Sequence, residues 1–543
     1  MIPIKIQCGC GQKYVFDVEP VGGRMAYAVQ CPDCGVDGTA AANEVIAQHS
    51  AASVTGLRFR GQKNPPTIPT PLPPSRPGEA AARDFHPVKI RHKSLVSAIV
   101  GVVTLVLVGA VFFGRSHGRN YRPSNAVAVA NYGLPHTLAE LNAWYLEPPV
   151  GQNAATFFLD GFDALQTANA SSSSLPLLGK GTLPPLGSPM PASMKSALAA
   201  VVQSNREALQ LFAEGASHEQ SRYPLDLTRG FETVLPHLPK VKSATLVAEV
   251  SAILHAEAND GKQAANDVLI ALALARSLEA EPSLFSQKMR AVSVSITVAA
   301  LEQTVNRTVL CRESLSKLLT AFHKMEDYDA RGEGSNRALV AELITTVALL
   351  ATPQKLLEFL PAPGADMPAE LRDQIVARLQ KGNKLKEEQH YYEETFQQLM
   401  AIRKSALPDR LKAGNLIRQR VSKAADKKLA IIEWLLPGLA GDAAKEAGCL
   451  ASLRLGLTAL ALEQFRAAHD NRYPDALAEL TPDYLASTPM DPFDGQPLRF
   501  RKKSGGYLLY SIGHDLKDDS GERMSGKGGD IAFAVVTTAK PAK

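Results

Sequence analysis

Four cysteines crowd the first 34 residues of the chain: Cys8 and Cys10, then Cys31 and Cys34, with 20 residues between the pairs. Thiolates are soft donors, and two close pairs at this distance can converge on one tetrahedral ion. Zinc suits that arrangement; a redox dithiol or an iron–sulfur site usually carries different spacing. A closed four-thiolate site has no open coordination position, so its role is structural. It supplies folding energy that a piece of about 45 residues cannot draw from a core. The other two cysteines, Cys311 and Cys449, read as small buried residues in helical surroundings.

Catalytic constellations do not emerge in the same way. His218-Glu219 is followed by Gln220-Ser221-Arg222, which does not complete a zinc-protease HExxH. Gly332-Glu333-Gly334-Ser335 has the wrong register for a GxSxG nucleophile turn. Gly179-Lys180-Gly181-Thr182 lacks the upstream glycine of a phosphate loop. Glu387 and His390 stand three apart, but a di-metal bundle needs a second such pair on a facing helix. Residues 385–405 therefore read as a solvated helix face. No catalytic residue is assigned, and the expectation is a protein that is not an enzyme.

The cysteines need a scaffold. Strand-like runs at 4–7, 14–18 and 25–30 surround them, with Gly22-Gly23 as a turn. Cys8-Gly9-Cys10-Gly11 and Cys31-Pro32-Asp33-Cys34-Gly35 together resemble the zinc-ribbon family. The second knuckle matches closely; the first has one residue rather than two between its cysteines. The resemblance implies a small β domain over 1–50. Lys5, Lys13 and Arg24 are sparse and opposed by Asp33 and Asp37, so a protein-contact role fits better than nucleic-acid binding.

The whole chain has 543 residues, 45% hydrophobic and 21% charged, with a net charge of +5. That composition excludes a disordered chain, a collagen-like chain and a polytopic transporter, and it is too balanced for a dedicated nucleic-acid binder. Residues 51–93 form a linker. Its stretch 64–87 contains eight prolines, a semi-rigid polyproline tether in which Pro66 and Pro69 make a PxxP. Residues 95–114 then carry no charge, and as a helix they span about 30 Å, the thickness of a bilayer core. One transmembrane helix is expected over 94–115, too late in the chain for a cleaved signal peptide. Lys89, Arg91 and Lys93 balance Arg115, Arg119 and Arg122 across it, so charge does not orient it. The thiolate site does, because it survives best in a reducing compartment. The N-terminus is then cytoplasmic, residues 115–543 are extracytoplasmic, and the membrane is the bacterial inner membrane.

Beyond the anchor, apolar residues recur at three- and four-residue spacing across 137–146, 154–167 and 192–213, with 171–191 as a loop. A long helical block follows over 243–351. Within it, 248–259, Asp260-Gly261 and 264–278, closed by Glu281-Pro282, read as a helical hairpin. It resembles one tetratricopeptide unit, but a stable array needs about three, so generic helix-pair packing is favoured. The expectation is a large all-α extracytoplasmic domain over 116–449.

The last segment carries the most specific pattern. A helix over 453–469 leads to Asn471-Arg472-Tyr473-Pro474, then to Met490-Asp491-Pro492-Phe493-Asp494-Gly495-Gln496-Pro497, two strand-like runs at 498–501 and 507–510, and Ser511-Ile512-Gly513-His514-Asp515. This order is similar to the globular head of the major pseudopilin family of type II secretion. The resemblance covers about 80 residues and implies a small α+β pseudopilin-like domain over 450–543. In that family the acidic loop binds calcium. Carried over, the ligands are Asp515, Asp518, Asp519 and Asp530, hard oxygen donors that suit an ion tolerant of irregular six- to eight-fold geometry. An uncoordinated polar loop is the alternative. The family's glycine after the first aspartate is replaced by Leu516-Lys517, and the helix at 95–114 lacks the glutamate that follows a pilin cleavage site.

The fold class expected is thus multidomain: zinc ribbon, tether, one transmembrane helix, helical domain, pseudopilin-like head. The function expected is a membrane-anchored scaffold or interaction protein of the bacterial envelope, associated with type II secretion or a pilus-like assembly. Its partners are the bilayer, through one helix, and other proteins. The alternatives are a transmembrane sensor coupling the helical domain to the ribbon, and an envelope hydrolase built in the helical region.

Overall fold

The computed structural model describes residues 2–7, 13–18, 29, 39, 41–43, 45–46, 134–166, 175–364, 367–380, 385–523 and 528–536. Two compact units divide the chain, 1–121 and 122–543. The transmembrane helix expected over 94–115, the proline tether, and Cys8, Cys10, Cys31 and Cys34 lie outside the described residues.

In the first unit, β1 (Ile2–Gln7) and β2 (Lys13–Val18) pair antiparallel, with Ile4 opposite Phe16 and Gln7 opposite Lys13. Two of the three expected strands are there, each starting earlier than the sequence pattern suggests; the third, over 25–30, lies outside the described residues apart from Val29. The five residues 8–12 that join them include Cys8 and Cys10. The Val29 N–H donates to Thr39 Oγ1 (2.8 Å), and the segment between those two residues contains Cys31 and Cys34. Ile6, Ala42 and Ile46 are buried.

The second unit is mostly helical. It begins with α1 (Leu138–Trp144), α2 (Ala154–Ala164), α3 (Ala192–Ser204) and α4 (Arg206–Ala216). Thr137 and Asn153 cap α1 and α2, each accepting a backbone N–H at a helix start where donors lack intrahelical partners. A single tight turn, Leu227–Glu232, leads into α5 (His237–Glu257) and α6 (Gly261–Arg276). These two form the hairpin expected from the sequence, and Asp260 caps the second helix by accepting from Gln263 N–H. Next come α7 (Leu284–Val305), α8 (Arg312–Arg331), α9 (Glu333–Leu350), α10 (Pro353–Phe359), α11 (Ala369–Gln380), α12 (Leu385–Arg403), α13 (Lys412–Asp426), α14 (Ala430–Leu435) and α15 (Asp442–Ala468). Strands β3 (Arg499–Lys503), β4 (Gly506–Ser511) and β5 (Ile531–Val535) close the chain in an antiparallel sheet of order β3-β4-β5.

The α15 helix organises this unit. It is 27 residues long and buries nineteen of them, including Leu453, Leu457, Leu460 and Phe465. Small residues let neighbours approach: a Cβ on Gly456 would stand 2.5 Å from the Phe322 ring of α8. One apolar cluster joins α15 to Phe322 and Met325 of α8, Val294 and Leu301 of α7, and Tyr507, Leu509 and Phe533 of the sheet. The boundary expected at 449–450 therefore falls inside a helix, and the C-terminal segment shares its core with the helical region.

Helix α12 corrects another expectation. Glu388, Tyr391, Tyr392, Glu393, Phe396 and Leu399 on it are buried, so it is not a solvated face. The Glu388 carboxylate is bridged by Arg378 and accepts the Ile432 N–H (3.2 Å), which offsets the cost of its burial. Glu387, by contrast, is exposed. Of the two cysteines expected to be buried, Cys449 is and Cys311 is not.

The sheet is fixed to the helices by side chains of α7. Glu302 Oε1 accepts the Ala534 N–H (2.6 Å), and Asn306 Nδ2 donates to Ala534 O (2.8 Å). The Val536 N–H donates to Asn306 Oδ1 (2.7 Å). Glu302 and Asn306 thereby take the place of a fourth strand along β5, whose main-chain groups would otherwise be left open.

Candidate functional site

The C-terminal segment carries a cluster of carboxylates at 491–530. Its foundation is Asp491, which is completely buried. Asp491 Oδ1 accepts from Phe493 N–H (3.0 Å) and Ser511 Oγ (2.8 Å); Oδ2 accepts from Ile512 N–H (3.0 Å) and Arg499 Nη1 (2.8 Å). One carboxylate thus ties the Asp-Pro-Phe turn, the first residue of β3 and the end of β4 together. Arg499 also bridges Asp494.

From that anchored end of β4 the acidic loop departs. Gly513 has φ +68°, and a Cβ there would meet Gly529 O at 2.5 Å, so the loop's two ends close on a residue without a side chain. Asp515 staples the same closure: Oδ1 accepts from Lys517 N–H (3.2 Å) and Oδ2 from Gly529 N–H (3.3 Å). Those main-chain donors hold its carboxyl below the usual carboxylate range. Asp518 Oδ1 accepts from Ser520 N–H (2.9 Å). Asp530, buried, accepts the Gly521 N–H on Oδ2 (2.6 Å). Its other oxygen, Oδ1, is buried with no hydrogen-bond partner, and so is Oδ2 of Asp519.

The four expected calcium ligands therefore divide. Asp519 and Asp530 each hold an unsatisfied buried carboxylate oxygen. Asp515 spends both of its oxygens on the backbone and acts as a clasp. Burial pushes the Asp530 carboxyl up, and the charges of Asp518 and Asp519 add to the shift, so the three stand within electrostatic reach of one another. A hard cation would satisfy both orphaned oxygens and relieve the repulsion. Among the described residues no three His, Cys, Asp or Glu side chains form a complete ligand set, and residues 524–527 of the same loop lie outside them. Two orphaned carboxylate oxygens are the donors that the described residues offer such an ion.

The loop also reaches the helical region. Arg523 Nη2 pairs with Glu302 Oε1 (2.5 Å) and donates to Ala532 O. The carboxylate that closes the edge of β5 is thus the one gripped by the acidic loop.

A second polar cluster lies among α7, α8, α12 and α15. Arg290 pairs with Asp329 (2.5 Å), Cys449 Sγ donates to Asp329 Oδ2 (3.2 Å), and Glu446 holds both Arg403 (2.6 Å) and Arg410. Burial pushes the Cys449 thiol up, which makes it a poor nucleophile. The cavity beside this cluster measures about 40 Å³, room for a few waters. A cleft of about 200 Å³ lies against α6 and α8, lined by Leu272, Arg276, Glu279 and Met325.

Sequence reasoning reached the four loop aspartates but not Asp491, Glu302 or Asn306. The Asp-Pro-Phe pattern held the signal for Asp491. Nothing local marks Glu302 and Asn306, whose partners are more than two hundred residues away. Compared with known proteins, the chain matches no family model, and no curated protein or solved structure is significantly similar to it.

Proposed function

We propose that this chain is a membrane-anchored, non-enzymatic scaffold or interaction protein of the bacterial envelope. A cytoplasmic zinc ribbon at Cys8, Cys10, Cys31 and Cys34, a proline tether and one helix over 94–115 lead to an extracytoplasmic helical platform. The platform ends in a pseudopilin-like head whose loop takes calcium at Asp519 and Asp530, with Asp518 near and Asp515 closing the loop. Type II secretion or a pilus-like assembly is the setting this head suits.

The observation that carries the reading is the docking of the sheet. A pseudopilin assembles by packing exposed N-terminal helices together. Here the helix before the sheet is α15, buried in the core, and β5 is closed by Glu302 and Asn306. A head held this way serves as a fixed contact surface rather than a polymerising subunit.

Protease treatment of spheroplasts carrying the protein tagged at both ends tests the arrangement. Digestion of the C-terminal tag with protection of the N-terminal one is the expected result; the reverse places the cysteines in an oxidising space and overturns the reading. In the purified chain, calcium is expected to raise the melting temperature of the unit formed by 122–543, and Asp519→Asn with Asp530→Asn to remove that rise. An unaltered chain that does not respond to calcium refutes the metal assignment.

A further inference from the structure

We infer that the cavity between α7, α8, α9, α12 and α15 is a binding site for one small oxyanion, a carboxylate or phosphate of about three to five heavy atoms. It stands apart from the acidic loop and does not depend on the envelope setting proposed above. Side chains of all five helices line it. At about 40 Å³ it has room for roughly three waters or one such ion, and none for a nucleotide or a sugar.

Arg290, which lines the cavity, supplies the recognition element. It is 3% exposed, and only part of its guanidinium is used: Nη1 holds Asp329 (2.5 Å). Nε and Nη2, which make up another edge of the planar group, are buried with no hydrogen-bond partner among the described residues. Two parallel N–H donors on one edge match two oxygens of a single oxyanion, a bidentate geometry that a lysine does not offer. Left unmade inside a protein, hydrogen bonds of a charged group cost more than those of a neutral one.

The charges around the cavity favour an anion over water. Glu446 is shared between Arg403 (2.6 Å) and Arg410, so one carboxylate stands against two guanidiniums. Lys288 faces Asp442 at 3.3 Å, and Lys445 adds a further basic side chain. Together with Arg290 and Asp329, the lining holds four basic and three acidic groups, before Arg410 draws on Glu446 as well. Burial pushes the Asp329 and Asp442 carboxyls up, which weakens the negative side of that balance. Water can accept from the Arg290 edge but leaves the surplus positive charge uncompensated; an anion answers both.

The test uses the purified full chain in a chloride buffer free of phosphate and carboxylates, with sodium phosphate or sodium formate added at constant ionic strength. At least one of the two is expected to bind saturably, one ion per chain by titration calorimetry. It should also raise the melting temperature of the unit formed by 122–543, as a ligand of the native state does. Arg290→Lys keeps the charge but removes the paired donors, and Ser335→Leu fills the lining without removing a charge. Each is expected to weaken binding by about tenfold or more. Should Arg290→Lys fail to fold, Ser335→Leu and Lys288→Met, at half-buried positions, carry the test. Absence of saturable binding of either ion to the unaltered chain overturns the inference. So does full binding by Ser335→Leu, or an equal rise in melting temperature with sodium chloride alone.

Discussion

Glu249 lies inside α5, and burial alone pushes its carboxyl up to about 8. Glu342 and Glu388 are raised to about 7, again chiefly by burial. A carboxyl whose folded value exceeds its unfolded value binds its proton more tightly in the native state. Its contribution is therefore complete below the unfolded value near 4.5 and is lost as pH rises through the folded one. The helical unit is expected to melt at progressively lower temperature between about pH 5 and 8. Glu249→Gln should flatten that decline, with a gain on the order of a few kcal/mol at pH 8. Asp491 is a buried acceptor for four donors. Asp491→Ala leaves Arg499 and the Ile512 N–H without that partner and is expected to cost about 2–4 kcal/mol, read as a lower denaturation midpoint at unchanged slope. At this scale the sequence is legible where chemistry is local. The clasp of Asp515 on the Lys517 N–H announces itself by closeness in sequence. Asp491 does not, because its role depends on Ser511 and Ile512, twenty positions further on. Glu249 reads as an ordinary helical glutamate, and only its neighbours in space make it costly to ionise.

Secondary structure was mostly readable from apolar periodicity and caps. The α5–α6 hairpin, the loop before α3 and the β3–β4 pair stand close to where the pattern puts them. Helix α12 was misread because its glutamates and glutamines look solvated, whereas tertiary partners such as Arg378 and the start of α14 bury them. The closure of β5 by α7 was out of reach for the same reason: helix periodicity does not show which polar side chains meet a strand edge. That closure makes a specific prediction. Asn306→Ala removes an acceptor for the Val536 N–H and a donor to Ala534 O. Amide exchange at Val536 should then speed up markedly while exchange in α5 and α6 stays unchanged. Equal acceleration throughout would mean that the side chain matters for global stability only.

On the scale of the molecule, the expected boundary at 449 fails as a physical seam. Leu453, Leu460, Tyr507 and Phe533 belong to the same cluster as Val294, Leu301 and Phe322. A chain ending at 449 would expose the inner sides of α7 and α8, and loss of cooperative melting is expected for it; a sharp transition near that of the parent would show two independent domains after all. Residues 1–50 are the part most separable by sequence, and if they form the proposed zinc ribbon, the purified chain holds one zinc, lost with Cys31→Ser and Cys34→Ser. The α7–β5 contact also bears on the order of events during synthesis. Its bonds join residues 228 to 232 positions apart. Until residues 531–535 have left the ribosome, Glu302 and Asn306 have no strand to hold, and the apolar sides of α7 and α15 await their last cover. The helical unit therefore stays unfinished until the end of its synthesis, a long window in which chaperones and proteases compete for it.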